Sequence, residues 1–142
     1  MSLAALRVRG KEQSAHWCGA VILSSRWVLT AAHCLEGYAK GAYIIVAGEY
    51  NTDEDEGTEQ QKYIEDYFIH EMFRKGHKMN NDIALIKVKG KGFTLNDDVQ
   101  PICLPDETAN YEKELNCTIS GFGSVKSGTS GKSVNHTFQR YN

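Results

Sequence analysis

The sequence predicts an all-β protein built from antiparallel strands. Its apolar segments are short, rich in β-branched and aromatic residues, and bounded by Ser, Gly, Asn and Asp, which is typical of strands rather than helices. The clearest segments are residues 20–23, 27–30, 43–47 and 83–88. No helical pattern separates them, so the sequence predicts an antiparallel β-barrel or a β-sandwich.

The order of these elements is marked by turn residues. Ser24 and Ser25 separate the first two segments and suit a hairpin turn. Glycines punctuate the remaining segments, from Gly37 through Gly92. From residue 120 to 131 the composition shifts to Gly and Ser, which predicts a loop.

Length and charge limit the classes of function. A chain of 142 residues has the size of one domain. Its 16 Lys and Arg against 18 Asp and Glu give a formal charge of −2, so nothing indicates a nucleic-acid or anionic-membrane partner. No apolar run approaches the ~20 residues that a membrane-spanning helix needs.

Four cysteines favour an oxidising compartment, and we therefore expect a secreted or extracellular protein. Residues 1–6 are too short for the apolar core of a signal peptide. The two observations agree if Met1 is not the natural start, which is our expectation.

The strongest local motif is Thr30-Ala31-Ala32-His33-Cys34, preceded by Cys18. The two cysteines are sixteen positions apart and flank the predicted hairpin, which would bring them close enough for a disulfide. Such a bridge contributes about 3 kcal/mol and would fix the position of His33. A zinc site made of His16, Cys18, His33 and Cys34 is the competing interpretation, although the spacing of these residues is unlike that of zinc motifs.

The second motif is Asn80-Asn81-Asp82, directly before the apolar segment at 83–88. A carboxylate that opens an apolar strand is costly to bury unless it has a hydrogen-bonding partner. A histidine is suitable, because the carboxylate holds the imidazole in one tautomer and stabilises its protonated form. The alternative for Asp82 alone is a turn or strand-start residue.

Together, Thr-Ala-Ala-His-Cys at 30–34 and Asp-Ile-Ala-Leu at 82–85 resemble the chymotrypsin–trypsin family of serine proteases. Further similar segments are 17–20, the linker-like 99–105 and 117–123, with Ala20 where a second Gly is usual and Phe122 where Trp is usual. The resemblance covers about Leu6 to Gly123. It implies an antiparallel trypsin-like β-barrel, with His33 as general base and Asp82 as the carboxylate that orients it.

The resemblance also implies a division of the chain. Residues 1–100 would form the first barrel of a two-barrel fold, 101–116 the linker between barrels, and 117–142 the start of an incomplete second barrel. Within the family, the sequences around Cys18, the turn at 23–25 and Cys103 are most similar to mosaic proteases of the neurotrypsin type.

The sequence contains no Gly-Asp-Ser-Gly-Gly, and no Ile-Val-Gly-Gly precedes Leu6. We therefore expect a fragment of a secreted zymogen that lacks the nucleophilic Ser and is inactive alone. The parent would be a serine endopeptidase that acts on protein substrates through an acyl-enzyme, needs no catalytic cofactor and can meet protease inhibitors. The alternative is a non-catalytic homologue that binds or regulates partners through the same fold.

The remaining cysteines, Cys103 and Cys117, have no evident partner in this sequence, although they could bond to each other. The resemblance implies instead that Cys103 is bonded to an upstream pro-region and that Cys117 bridges to a later strand. Both partners would then lie outside the 142 residues.

An acidic segment at 49–60 is too charged to belong to the core. Its simplest interpretation is a solvated surface loop, but Ca²⁺ binds to several oxygen atoms that converge from one flexible loop. The segment also matches the calcium loop of trypsin position by position. The resemblance implies side-chain ligands at Glu49, Glu56 and Glu59 and backbone carbonyl ligands at Asn51 and Glu54, and we expect a structural Ca²⁺ there.

Overall fold

The computed structural model describes residues 2–10, 16–50, 55–110 and 120–121. Six strands make up almost all of the regular structure in these residues, so the all-β prediction is confirmed. The strands are β1 (Leu3–Val8), β2 (His16–Ile22), β3 (Trp27–Thr30), β4 (Tyr43–Ala47), β5 (Gln60–Ile69) and β6 (Ala84–Val88). Two short 3-10 helices, Ala32–Leu35 and Lys40–Ala42, lie between β3 and β4.

The strands close into one antiparallel barrel in the order β1-β2-β3-β6-β5-β4. The residue patterns were compatible with a barrel or a sandwich, and the structure is a barrel. Closure pairs each of the six described strands on both sides and so avoids the exposed edges of an open sheet. No described helix is long and apolar enough to cross a membrane.

The core fills the inside of the barrel with side chains from alternate strand positions. Leu6, Ile22, Val28, Ile45 and Ile86 are all fully buried there. Residues after β6 complete this core, since Phe93 and Val99 are buried in the same cluster.

Two strands were missed by the sequence analysis. β1 contains Arg7, a charge that hides the strand pattern unless a buried partner for it is known. β5 is long and carries charged residues among its apolar ones, because much of it faces solvent. The bounds of the other strands differ from the predicted segments by a few residues. β2 begins earlier than the predicted segment at 20–23 and ends at Ile22, and β6 begins at Ala84.

The strands of the barrel fall between residues 3 and 88, and the following residues up to 110 contain no strand. The Ile102 N–H donates to the Ile22 carbonyl at 2.8 Å, which holds the predicted linker against the barrel. The predicted boundaries at 100 and 116 stay predictions. The predicted second-barrel segment, 117–142, lies outside the described residues except for Ser120 and Gly121.

Candidate catalytic site

His33 is held by the end of β3 and by the disulfide that follows it. The Thr30 hydroxyl donates to the Gly19 carbonyl at 2.9 Å, which ties the end of β3 to β2. The chain then turns into the 3-10 helix Ala32–Leu35, and Cys34 in this helix is bonded to Cys18 with a Cα–Cα distance of 6.2 Å. A residue adjacent to a buried, cross-linked cysteine has little freedom to move.

Asp82 is positioned by a left-handed turn just before β6. Asn81 has φ of 52°, a conformation that Asn tolerates better than most residues. The Asn81 side-chain amide donates to the Met72 carbonyl at 3.2 Å, and the backbone carbonyl of Asn81 accepts from the Ile83 N–H at 2.8 Å. Because Thr30 pairs with Ala84 across β3 and β6, the residues after β3 and before β6 meet at one end of the barrel.

The side chains of His33 and Asp82 meet through two hydrogen bonds. Nδ1 of His33 lies 2.6 Å from Oδ2 of Asp82, and the backbone N–H of His33 donates to Oδ1 at 2.8 Å. The two residues are 49 positions apart in sequence, so only the fold brings them together. The Asp82 side chain is 17% exposed and the His33 side chain 47%, which leaves the imidazole open to solvent on one side.

These contacts favour the ionised form of the Asp82 carboxyl group. Burial tends to raise the pKa of Asp82, but the hydrogen bonds from the His33 side chain and backbone outweigh it and lower the pKa below its ordinary value. An ionised carboxylate only accepts, so Nδ1 of His33 donates to it, and in the neutral imidazole Nε2 then has a lone pair that can accept a proton. This arrangement is suited to general-base chemistry at Nε2.

A second, exposed contact joins the segment before Asp82 to the segment after His33. The guanidinium of Arg74 donates to Glu36 at 2.7 Å, and Glu36 directly follows the 3-10 helix that contains His33. Arg74 has φ of 60°, so its backbone conformation is as unusual as that of Asn81. The sequence analysis missed this pair, since no local pattern connects two charges 38 residues apart.

The zinc alternative finds no support in this arrangement. The sulfur atoms of Cys18 and Cys34 and a ring nitrogen of His33 lie within 4.8 Å of one another, and Cys34 Sγ is 3.7 Å from Nε2. The two sulfurs are bonded to each other, however, and a disulfide offers no thiolate to a metal.

The acidic loop lies apart from the His33–Asp82 pair. Glu49 is buried and accepts a hydrogen bond from Arg7. Glu56 accepts from the Tyr50 N–H at 2.9 Å, and Glu59 accepts from the Glu56 N–H at 2.8 Å. The other two predicted calcium ligands, Asn51 and Glu54, lie outside the described residues.

Burial, neighbouring charges and hydrogen bonds shift the pKa values of two carboxyl groups in this loop. Burial raises the pKa of Glu49 above its ordinary value, Arg7 works against that rise, and the charges of Glu59 and Glu56 add to it. Glu59 differs, because hydrogen bonds from backbone N–H groups outweigh its burial and lower its pKa.

Of the two cysteines outside the Cys18–Cys34 disulfide, the structure describes one. Cys103 is exposed and has no disulfide partner among the described residues, whereas Cys117 lies outside them.

Comparison with known proteins identifies the family. The family model for Trypsin matches residues 2–140. The chain belongs to the trypsin family. This result confirms the resemblance on which the site prediction depends and agrees with the observed barrel.

Three proteins illustrate what the chain is similar to. Residues of this chain are 36% identical to mouse ovochymase-2 over 119 residues, which is 83% of this chain and 19% of that protein. They are 33% identical to human chymotrypsin-like elastase family member 1 over 137 residues, 96% of this chain and 51% of that protein. Identity to human transmembrane protease serine 11A is 32% over 120 residues, 84% of this chain and 27% of that protein. The chain thus spans between about a fifth and a half of the length of these relatives.

Proposed function

We propose that this protein is a trypsin-like serine endopeptidase in which His33 is the general base and Asp82 orients it. The observation that carries the proposal is the pair of hydrogen bonds from the His33 side chain and backbone to the two oxygens of Asp82. A chain used for binding alone would have no need of a carboxylate held against an imidazole in this way. The names of the similar proteases support the same conclusion.

The reaction follows from the protonation of the pair. Nε2 of His33 takes the proton of a serine hydroxyl as its oxygen attacks the scissile carbonyl carbon, and Asp82 stabilises the imidazolium that forms. The proton then passes to the departing amine, leaving an acyl-enzyme, which water hydrolyses with His33 again as the base. No Gly-Asp-Ser-Gly-Gly occurs in the 142 residues. The proposal therefore assigns the serine to sequence beyond them and predicts that these residues alone do not cleave peptides.

The test uses a fluorophosphonate probe, which reacts covalently with a serine only when a neighbouring base activates it. We expect the natural protein that contains this chain to be labelled and to hydrolyse peptide substrates, and the 142-residue chain to do neither. A natural protein that is folded but unlabelled would contradict the proposal and favour the alternative, a non-catalytic homologue that binds partners. Labelling of the 142-residue chain would contradict the assignment of the serine.

We also propose that the acidic loop holds a structural Ca²⁺. The described residues fit such an ion, because one carboxylate oxygen each of Glu49 and Glu59 is buried without a hydrogen-bond partner among them. A bound ion would neutralise the loop and has no part in the peptide-bond chemistry. The proposal predicts that melting of the protein in Ca²⁺ occurs at a higher temperature than melting in a chelator.

Finally, we propose that the protein is secreted and that Cys103 bonds to a pro-region upstream. The Cys18–Cys34 disulfide supports an oxidising compartment. The exposed thiol of Cys103, next to a residue that is hydrogen-bonded to β2, is accessible to a partner cysteine. Peptide mapping of the natural protein without reduction should find Cys103 in a disulfide, and a free thiol there would contradict the tether.

A further inference from the structure

The ion pair between Arg7 and Glu49 lies outside the apolar core. Side chains alternate along β1, and those of Leu6 and Val8 belong to the core cluster, so Arg7 between them faces the outer side of the barrel wall. Even so, Arg7 is only 7% exposed and Glu49 only 6%. A buried guanidinium needs a negative partner, and Glu49 provides it.

The pair is incomplete. Nη2 of Arg7 donates to Oε1 of Glu49, whereas Nε of Arg7 and Oε2 of Glu49 are buried without a hydrogen-bond partner in the described part of the chain. Arginine and carboxylate often form two parallel hydrogen bonds, which would have used both groups. Glu49 therefore gives one oxygen to the guanidinium, and its other oxygen is buried without a hydrogen-bond partner among the described residues.

The surrounding loop contains more negative charge than Arg7 can balance. Oε2 of Glu59 is also buried without a partner among the described residues, and both Glu56 and Glu59 act electrostatically on Glu49. The guanidinium pairs with Glu49, and the charges of Glu56 and Glu59 also act on that carboxylate.

The base of this loop has little room to change shape. Gly48 has φ of +75°, and a Cβ there would stand 2.4 Å from the Thr58 carbonyl oxygen. The Thr58 hydroxyl donates to the Gly48 carbonyl at 2.7 Å. This contact holds the two ends of the loop together, so Glu49 and Glu59 stay close whether or not an ion is bound.

We propose that Arg7 is a built-in counter-ion that shares Glu49 with Ca²⁺ and thereby sets how strongly the protein depends on the metal. This inference rests on the proposed calcium site. Without Ca²⁺, the guanidinium neutralises part of the loop and keeps it folded. With Ca²⁺, the two cations repel each other across one carboxylate, so the loop binds the ion more weakly than its carboxylates alone would.

The test is a calorimetric titration of the complete 142-residue chain with CaCl₂. We expect Arg7→Met to lower the Kd for Ca²⁺ at least about tenfold, the effect of removing a unit charge about 6 Å from a divalent ion in a water-like dielectric. The same variant should show a larger difference in melting temperature between Ca²⁺ and chelator. Arg7→Lys keeps the charge and should stay within about threefold of the unmodified chain. Arg26→Met removes a guanidinium whose side chain is 36% exposed from a different ion pair, with Glu65, and should leave the Kd for Ca²⁺ unchanged.

The outcomes separate the two proposals. If the unmodified chain and Arg7→Met bind Ca²⁺ with equal affinity, the calcium site stands and the role of Arg7 is wrong. If neither binds, both proposals are wrong. Should Arg7→Met fail to fold, the ¹⁵N signal of Arg7 Nε in the unmodified chain decides: it must shift as Ca²⁺ is added, and an unchanged signal at saturation would overturn the inference.

Discussion

Two carboxylates in this protein, Asp82 and Glu49, are satisfied in opposite ways. Both oxygens of Asp82 accept hydrogen bonds from His33. Glu49 has one oxygen bonded to Arg7, and its other oxygen is buried without a partner in the described residues. Their pKa values differ accordingly. That of Asp82 is lowered because hydrogen bonds outweigh burial, and that of Glu49 is raised because burial dominates.

The difference shows that an ion pair alone does not indicate how stable a buried charge is. Glu49 has a full guanidinium beside it, yet burial still raises its pKa above the ordinary value. Asp82 faces an imidazole and backbone N–H groups, and its environment favours the carboxylate. The number of lone pairs that are satisfied matters more than the formal charge of the neighbour. Asp82 is suited to a fixed role in catalysis, whereas Glu49 has capacity left for an ion.

The largest effect is expected at Asp82. In the natural protein that carries the serine, Asp82→Asn should lower kcat by about 10⁴ because the amide no longer holds Nδ1–H of His33 and the imidazole can adopt the wrong tautomer. Peptide hydrolysis under substrate saturation measures it. In the 142-residue chain, the same variant should remove the low-field proton signal of Nδ1–H. Glu65→Gln, at an exposed ion pair, is the control and should leave both unchanged. A loss of kcat below tenfold would contradict the role of Asp82.

The sequence supported the fold class and the His33–Asp82 pair for one reason: both motifs have strong local patterns. His33 lies next to a cysteine at a predicted strand end, and Asp82 opens an apolar strand. What the sequence could not provide is contact between distant charges. The charge of Arg7 hides the strand pattern of β1 until Glu49, 42 residues away, is known to pair with it. The same applies to the exposed ion pair between Arg74 and Glu36, which are 38 positions apart.

The next effect concerns stability at Glu49. Glu49→Ala should lower the free energy of unfolding by about 3 kcal/mol because it leaves the guanidinium of Arg7 buried and unpaired. Urea denaturation of the 142-residue chain in a chelator measures this difference. Glu65→Ala, which breaks an exposed ion pair with Arg26, is the matched control and should cost less than about 1 kcal/mol. Equal losses for the two variants would show that burial does not distinguish the two carboxylates.

The dependence of stability on pH should have opposite signs at the two sites. The pKa of Asp82 is lowered on folding, so its contribution to stability is present above the ordinary pKa of Asp and is lost as the pH falls through the lowered value. The pKa of Glu49 is raised on folding, so its contribution declines as the pH rises from the ordinary to the raised value.

The test measures the free energy of unfolding of the unmodified chain, of Asp82→Asn and of Glu49→Gln across the acidic pH range. The value for each variant is subtracted from that of the unmodified chain. The difference for Asp82 should grow with rising pH, and the difference for Glu49 should shrink. Two differences with the same sign of slope would contradict the contrast between the sites.

The smallest effect is expected at Arg26, whose guanidinium donates to Glu65 at 2.6 Å with both side chains more than one third exposed. Its distance is as short as that between His33 and Asp82, so length alone would rank the two contacts equally. Water screens an exposed pair, and ordering two long side chains offsets what remains, so Arg26→Met should change the free energy of unfolding by less than about 0.5 kcal/mol. Urea denaturation at low and at high salt measures it. A loss above about 1 kcal/mol that vanishes in high salt would show that charge pairing itself, and not the satisfaction of buried oxygens, stabilises this barrel.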